Sequence, residues 1–380
     1  MHNADGKPLR VALVHDWLTG MRGGEKVLAQ LCELMGEADI FTLIHTVGAC
    51  SETIESRRIV TSFLDKLPAV RRYYRLMLPL MPAAIEHLSI ADYDLVISSS
   101  HCVAKGIGGR KAGQLHVSYC HTPMRYLWAL QRDYDASMGV GSLALRLMRP
   151  ALRSWDRRSA SRVDHFIANS NCIARRIETV YGRKSDVLHP PVDVDFYHPK
   201  PIEREDFYLM VSALSPYKRV DHAIAACKKL NRPLKIIGTG QLAREITKAS
   251  GSDVELLGWA DDETVRDHYR RCRALLFPTL EDFGIVPVEA QSCGCPVIAF
   301  GSGGALDTVR DGGDNPTGVL YPTQTAESLA DAIVKFEQLP PTQFDPQQMH
   351  KWAKHFSKQA FREGFCEILN PLFAERGWSI

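Results

Sequence analysis

No long apolar run occurs in this sequence of 380 residues. The stretch from Leu76 to Ala84 comes nearest, but it holds two prolines, whereas a bilayer-spanning helix needs about 20 apolar residues. No membrane span is expected. Met1 to Arg10 is largely polar, and His15 and Asp16 cut the apolar run that follows, which argues against a secretory leader. Net charge is also scarce: 46 Lys and Arg face 44 Asp and Glu, a formal balance of +2. That balance excludes a chain built chiefly to neutralise nucleic acid, so no nucleic-acid partner is expected. Ten cysteines are scattered through apolar stretches, as at Cys120 and Cys227, without the spacing of a disulfide framework. The expected compartment is the reducing cytoplasm. With 45% hydrophobic and 24% charged residues, the composition is that of a globular protein, and at about 150 residues per domain its length suggests two or three domains.

Short β-branched or apolar runs recur, each followed by a turn and a helical pattern, the signature of parallel sheets wound with helices. In the first half, strands are expected at Arg10 to Val14, Ile40 to Ile44, Leu95 to Ser98, Leu115 to Tyr119 and His165 to Ala168, with a helix from Gly24 to Met35. The pattern restarts with strands at Tyr208 to Ser212, Leu234 to Ile237, Val254 to Leu257, Ala274 to Phe277 and Pro296 to Phe300. Helices are expected to begin near Lys218, Asp261, Gly284 and Gly304. Between the halves, His189 to Pro201 carries four prolines, which deny it both helix and central strand. The boundary falls there, giving domains 1–195 and 196–380. A last helix at about 352–370 could pack on either domain.

Charge is concentrated in the first half. Residues 57–162 contain 17 Lys or Arg against 7 Asp or Glu, which suggests a face adapted to something anionic, solvation and salt bridging being the plainer alternative.

The most informative stretch is Pro278 to Ala290, where an expected strand ends in a loop whose Gly284 opens a helix. Backbone N–H groups at Gly284 and Ile285, together with the helix dipole, attract phosphate oxygens, and Pro287 suits an early helical position. Glu289 could accept two hydrogen bonds from a vicinal diol such as a ribose, and Glu281 could reach a sugar attached to the phosphate. An acidic first turn capping a helix is the structural alternative.

Glu281 and Glu289, separated by seven residues, resemble the signature of the family-four retaining glycosyltransferases of GT-B fold. The likeness extends over nearly the whole chain through Gly20 to Glu25 with its Gly23-Gly24 pair, Ala168 to Ser170, Pro190 to Asp193 and Gly301 to Gly304. Tyr119 to Trp128 and Ser215 to Asp221 look most like a bacterial subgroup that includes mannosyltransferases of polysaccharide and O-antigen synthesis. The resemblance implies an α/β protein of two Rossmann-like domains facing across a cleft. In it, the N-terminal domain takes the acceptor and the C-terminal domain binds the nucleotide sugar. It also implies GDP-mannose as donor and a polyprenyl-diphosphate-linked saccharide as acceptor.

Carried onto this sequence, Lys218 matches the family lysine that holds the donor diphosphate, while the arginine expected five positions earlier is Ala213. Arg219 or another cation would substitute. His121, at the carboxyl end of an expected strand, matches a histidine placed beside the donor sugar, with a buried core histidine as the alternative. His15 and Asp16 could touch acceptor hydroxyls or cap the following turn. Gly238 could let the backbone approach the nucleotide, or could be a simple strand-to-helix turn. Trp259, at another strand end, is more plainly a core aromatic than a base platform.

The Asp-x-Asp pairs Asp92/Asp94, Asp133/Asp135 and Asp193/Asp195 suit turns better than a divalent metal, and Cys293-Gly-Cys295 lacks zinc spacing. No metal and no resident cofactor are expected. The resemblance thus implies a retaining hexosyltransferase using front-side attack, in which Lys218, the amides at Gly284 and Ile285, and the glycine turns near Gly23 and Gly304 would meet the charge of the departing diphosphate. A sugar-nucleotide epimerase or hydrolase of the same fold and a non-catalytic sugar-nucleotide sensor are the rivals. Contact with an anionic membrane surface is a further expectation, since Arg71 to Arg75 sets cations and tyrosines directly before the Leu76 to Ala84 run.

Overall fold

The computed structural model describes residues 1–128, 141–249, 251 and 253–379, with the side chains of residues 141–145 and 249 outside the description. The Asp133/Asp135 pair lies outside the described residues. Two compact units emerge: Met1–Pro191 with Phe361–Ile380, and Val192–Ala360.

In the N-terminal unit, β1 (Val11–His15), β2 (Ala38–Thr42), β3 (Ile59–Thr61), β4 (Leu95–Ser100), β5 (Leu115–Cys120), β6 (His165–Ala168) and β7 (Asp186–Val187) form one parallel sheet. The strand order is β3-β2-β1-β4-β5-β6-β7. Buried on both faces, the central strands are continuous apolar runs at their starts, and they turn polar at their carboxyl ends, where His15, Ser99 and Ser100 appear. Chain order reverses between β1 and β4, so a crevice-forming switch point lies above His15 and Ser99, which are register partners.

The second unit repeats the plan with β8 (Tyr208–Val211), β9 (Leu234–Ile237), β10 (Val254–Gly258), β11 (Leu275–Phe277), β12 (Val297–Phe300) and β13 (Gly318–Tyr321), ordered β10-β9-β8-β11-β12-β13. Its switch point falls between β8 and β11. Lys218 follows the first of these strands and Glu281 the second.

The end of the chain is two helices rather than one. Pro346–Ala353 stops at a 3₁₀ turn over Lys354–Phe356, and Lys358–Ala374 then begins, with the Ser357 hydroxyl accepting from the Ala360 N–H at 3.0 Å. A serine that caps the following turn ends one helix as readily as it starts another. Phe361, Phe365, Leu369 and Phe373 share the core of the N-terminal unit with Leu13, Leu28 and Ile97.

Candidate functional site

In the C-terminal unit, the Lys218 ammonium and the Glu281 carboxylate form an ion pair, with side chains 17% and 16% exposed. The chain reaches Lys218 through a 3₁₀ turn, Pro216–Lys218, and the helix Val220–Leu230 begins only after Arg219. Arg219 itself takes φ 53°, a left-handed conformation that costs a side chain with Cβ on the order of 1 kcal/mol. Strain of this kind persists where surrounding structure enforces it.

Gly284 caps the helix Ile285–Ser292 with φ 91°, which glycine accepts without the Cβ penalty. Its N–H and that of Ile285 belong to the first turn, which lacks intrahelical acceptors. Glu289 is nearly enclosed, and the Tyr269 hydroxyl donates to its Oε2 at 3.3 Å.

Two glycine turns are closely packed. The Gly304 N–H donates to the Glu281 carbonyl at 2.9 Å, and a Cβ there would lie 2.2 Å from Phe283 backbone. That turn therefore packs beneath the Glu281 loop and does not offer Gly304 to a phosphate. Gly238 donates to Gly258 O at 2.7 Å, and a Cβ would stand 1.8 Å from Ser212 O. Close strand-end packing is the reason for this glycine. Trp259 is 76% exposed, so it is not the core aromatic expected.

In the N-terminal unit, Gly23 opens the helix Gly23–Met35, and a Cβ on Gly24 would lie 3.3 Å from His15 Cε1 and 3.7 Å from His121 Nε2. His121, just past β5, places Nε2 2.8 Å from the Ser99 hydroxyl, whose oxygen is also 3.1 Å from His15 Nδ1. Burial pushes His121 down to about 3, and the neighbouring His101 and His15 push the same way. Asp16 is a loop anchor. Its carboxylate accepts the N–H groups of His101, Cys102, Val103 and Ala104 at 2.6–2.9 Å and pairs with His101 Nδ1 at 2.9 Å. Burial alone would raise Asp16, but the His101 charge and the hydrogen bonds hold it well below the usual carboxylate range. His15 is fully enclosed, so neither residue presents itself to an acceptor here.

Sequence reasoning missed Ser99, Glu25, His101 and the buried pair Lys105–Asp156. Lys105 directly follows the loop gripped by Asp16, and its partner Asp156 also accepts from Trp128 Nε1 at 2.7 Å and Tyr181 Oη at 2.9 Å. Three serines ending an apolar strand at Ser98-Ser99-Ser100 were the available signal.

The apolar run after Arg75 is only partly core. Leu78, Met81 and Ala84 are buried, whereas Leu76 and Leu80 are 57% and 47% exposed. The 3₁₀ segment Tyr74–Leu80 packs against the helix Gly141–Ala160. On that helix Arg146, Arg149, Arg153, Arg157 and Arg158 line a concavity of about 520 Å³, and Leu147 is 76% exposed. Arg153 and Arg157 each lie 4.8 Å from the Trp128 ring centroid. No helix among the described residues is long and apolar enough to cross a membrane.

Residues 21–196 match the family Glycosyltransferase Family 4, and residues 195–357 match Glycosyl transferases group 1. A D-inositol 3-phosphate glycosyltransferase of Mycobacteroides abscessus is 31% identical over 211 residues, 48% of this chain and 47% of that protein. An uncharacterized glycosyltransferase of Methanocaldococcus jannaschii is 39% identical over 154 residues, 39% of this chain and 43% of that one. The chain thus spans about half the length of the curated relatives it matches. Among solved structures, Anabaena HepE in complex with UDP superposes with a TM-score of 0.71 at 19% identity, covering 96% of this chain and all of HepE. Sucrose-phosphate synthase from Thermosynechococcus elongatus gives 0.71 at 17% identity, over 97% of this chain and all of that one. The chain carries a family 4 glycosyltransferase domain followed by a group 1 glycosyl transferase domain, on the GT-B fold.

Proposed function

We propose that this chain transfers a hexose from a nucleoside diphosphate to an acceptor hydroxyl with retention of anomeric configuration. The observation that carries the reading is the Lys218–Glu281 pair at the β8/β11 switch point, beside the N-terminus of helix Ile285–Ser292. A cation and a helix N-terminus suit a diphosphate, and a carboxylate suits sugar hydroxyls. In the step itself, the bond from C1 to the diphosphate oxygen breaks. The acceptor oxygen bonds to C1 on the same face, and its proton passes to the departing diphosphate. Lys218 and the amides at Gly284 and Ile285 meet the charge that develops there, each such donor contributing up to about 3 kcal/mol. Glu281 orients the sugar, Glu289 holds the ribose, and Arg219 stands in for the arginine absent at Ala213.

For the finer assignment we keep mannose from GDP-mannose and a polyprenyl-diphosphate-linked saccharide acceptor, on the motifs Tyr119 to Trp128 and Ser215 to Asp221. A second reading has its own support, since curated relatives are named for D-inositol 3-phosphate and the solved neighbour HepE carries UDP. The deciding experiment incubates the chain with GDP- and UDP-linked sugars against a lipid extract and inositol 3-phosphate. Transfer from GDP-mannose to lipid supports the first reading, and transfer from a UDP-sugar to inositol 3-phosphate supports the second. Sugar release without acceptor would favour a hydrolase, and saturable nucleotide binding without turnover a sensor. The arginine-lined helix face with Leu147, Leu76 and Leu80 is the surface we assign to an anionic membrane, at which a lipid-linked acceptor would be met.

A further inference from the structure

His15 and His121 share one serine hydroxyl. Ser99 Oγ lies 3.1 Å from His15 Nδ1 and 2.8 Å from His121 Nε2. The sharing follows from the sheet: β1 and β4 pair in parallel with His15 opposite Ser99, and β5 ends just before His121. On the far side of His15, Glu25 Oε1 stands 3.8 Å from Nε2, while Glu25 Oε2 accepts the Arg22 N–H at 3.0 Å. The neighbouring groups do not compete for these atoms. Asp16 is occupied by four amides and His101, and the Tyr119 hydroxyl donates to Leu188 O at 2.8 Å.

We propose that Ser99 is a positioning residue that fixes His121 as the tautomer protonated on Nε2, leaving Nδ1 as a proton-free acceptor. The argument runs through one hydrogen atom. The Glu25 carboxylate stands 3.8 Å from His15 Nε2, beyond hydrogen-bond distance, and its negative charge favours the ring proton on that nitrogen, so Nδ1 carries only a lone pair. The Ser99 hydroxyl has a single hydrogen, which it donates to His15 Nδ1. Its oxygen can then only accept, and it accepts the Nε2–H of His121. Burial would raise Glu25, but the His15 ring beside it holds the carboxyl below its ordinary range. Gly24 leaves room over this chain, since any Cβ there would press on His15.

The consequence for function rests on the hexosyl transfer proposed above: His121 Nδ1 accepts a hydrogen bond from a hexose hydroxyl and cannot donate one. Were His15 to carry both protons, the chain would reverse and His121 would present Nδ1–H instead.

Imidazole ¹⁵N chemical shifts of the full chain at pH 7.5 separate these states without reference to activity. The expected result is a proton-bearing Nε2 and a bare Nδ1 on His121 in wild type and Ser99→Thr, with a mixture in Ser99→Ala and Glu25→Gln. In transfer assays, Ser99→Ala lowers kcat roughly tenfold with the donor KM changed less than about twofold, and Ser99→Thr restores it. A wild-type His121 protonated on Nδ1, or a Glu25→Gln variant with the wild-type tautomer, would overturn the relay whatever the chain transfers. Wild-type transfer by a Ser99→Ala variant whose His121 tautomer is scrambled would overturn its role in the reaction.

Discussion

Lys218 and Glu281, 63 residues apart in sequence, neutralise each other at the ends of β8 and β11. The cation proposed for the diphosphate and the carboxylate proposed for the sugar are therefore each other's partner in this structure. Under the proposed function, a diphosphate that engages Lys218 would free Glu281 for the sugar hydroxyls. Removing one charge consequently changes the other as well.

The two glutamates should separate in kinetics. In Glu281→Gln, Lys218 is released from its partner, so the donor KM stays level or falls while kcat drops about a hundredfold. In Glu289→Ala the enclosed carboxylate and its Tyr269 hydrogen bond are lost, and the donor KM rises roughly tenfold with a smaller change in kcat. Steady-state rates over a range of donor concentrations distinguish the two. Full activity in both folded variants would reduce the pair to a structural role.

What was legible in the sequence follows from burial. Central parallel strands are apolar throughout, so β1, β4, β5, β6 and the strands β8 to β12 could be read from continuous runs ending in polar residues. Three of the four edge strands were not readable. β3 has three half-buried residues, β7 only two, and β13 starts at Gly318, packed so tightly that a Cβ would lie 1.9 Å from Val297 O. Within the candidate site, Glu281 and Glu289 stood out because they flank the start of a helix that follows a strand, and Lys218 stood out only through the family resemblance. Ser99 did not, because its meaning lies in a register pairing with a residue 84 positions away, and no local pattern records register. The same holds for Asp16, whose partners are the backbone amides of another loop.

Stability of the N-terminal unit should fall on mild acidification. Burial, with Arg110 adding to it, takes His116 from 6.5 down to about 4, and burial, followed by His101 and His15, takes His121 from 6.5 down to about 3. Both are neutral when folded and bind protons near pH 6.5 when unfolded, so their contribution is complete above about pH 6.5 and is lost as pH falls toward the folded values. At pH 5 each loses about 2 kcal/mol. Asp16 works in a lower window, retaining its contribution until pH drops below the ordinary carboxylate value of 3.8. Calorimetric scans should show Tm declining from pH 7 to pH 5, with a shallower decline in His116→Gln, whose amide can still meet the Ser98 hydroxyl 2.9 Å from His116 Nε2. A Tm constant across that range would contradict the assignment.

Transfer should survive EDTA. The charge on the leaving diphosphate can be met by Lys218 and the first turn of helix Ile285–Ser292, and in two of the acidic pairs one member is engaged elsewhere. Asp94 Oδ2 accepts the Arg10 N–H at 3.0 Å, and Asp193 Oδ2 pairs with Lys358. Initial rates with and without chelator are the measurement. Activity lost in EDTA and restored by magnesium or manganese, but not by sodium, would refute the expectation.

Membrane docking should depend on the arginine-bearing helix more than on Arg71 to Arg75. Arg71 is committed to the His45 carbonyl and Asp65, and Arg75 stacks over Tyr74 at 5.7 Å. Among the described side chains of the helix Gly141–Ala160, the exposed positions 146, 147, 148, 150, 151, 154, 157 and 158 include three arginines, a leucine, a methionine and no acid, although Arg157 also donates to the Val180 carbonyl at 3.2 Å. Each Lys or Arg near an anionic leaflet contributes about 1 kcal/mol, and this attraction is screened by salt. Flotation with vesicles containing anionic phospholipid should therefore recover the chain at low salt and progressively less at high salt. Arg146→Ser with Arg157→Ser and Arg158→Ser should lower recovery more than Arg71→Ser with Arg72→Ser and Arg75→Ser, and Leu147→Ser should weaken the fraction that persists at high salt. A larger loss from the Arg71, Arg72 and Arg75 set would place the contact on the segment after Val70 instead, and no flotation at low salt would end the membrane reading.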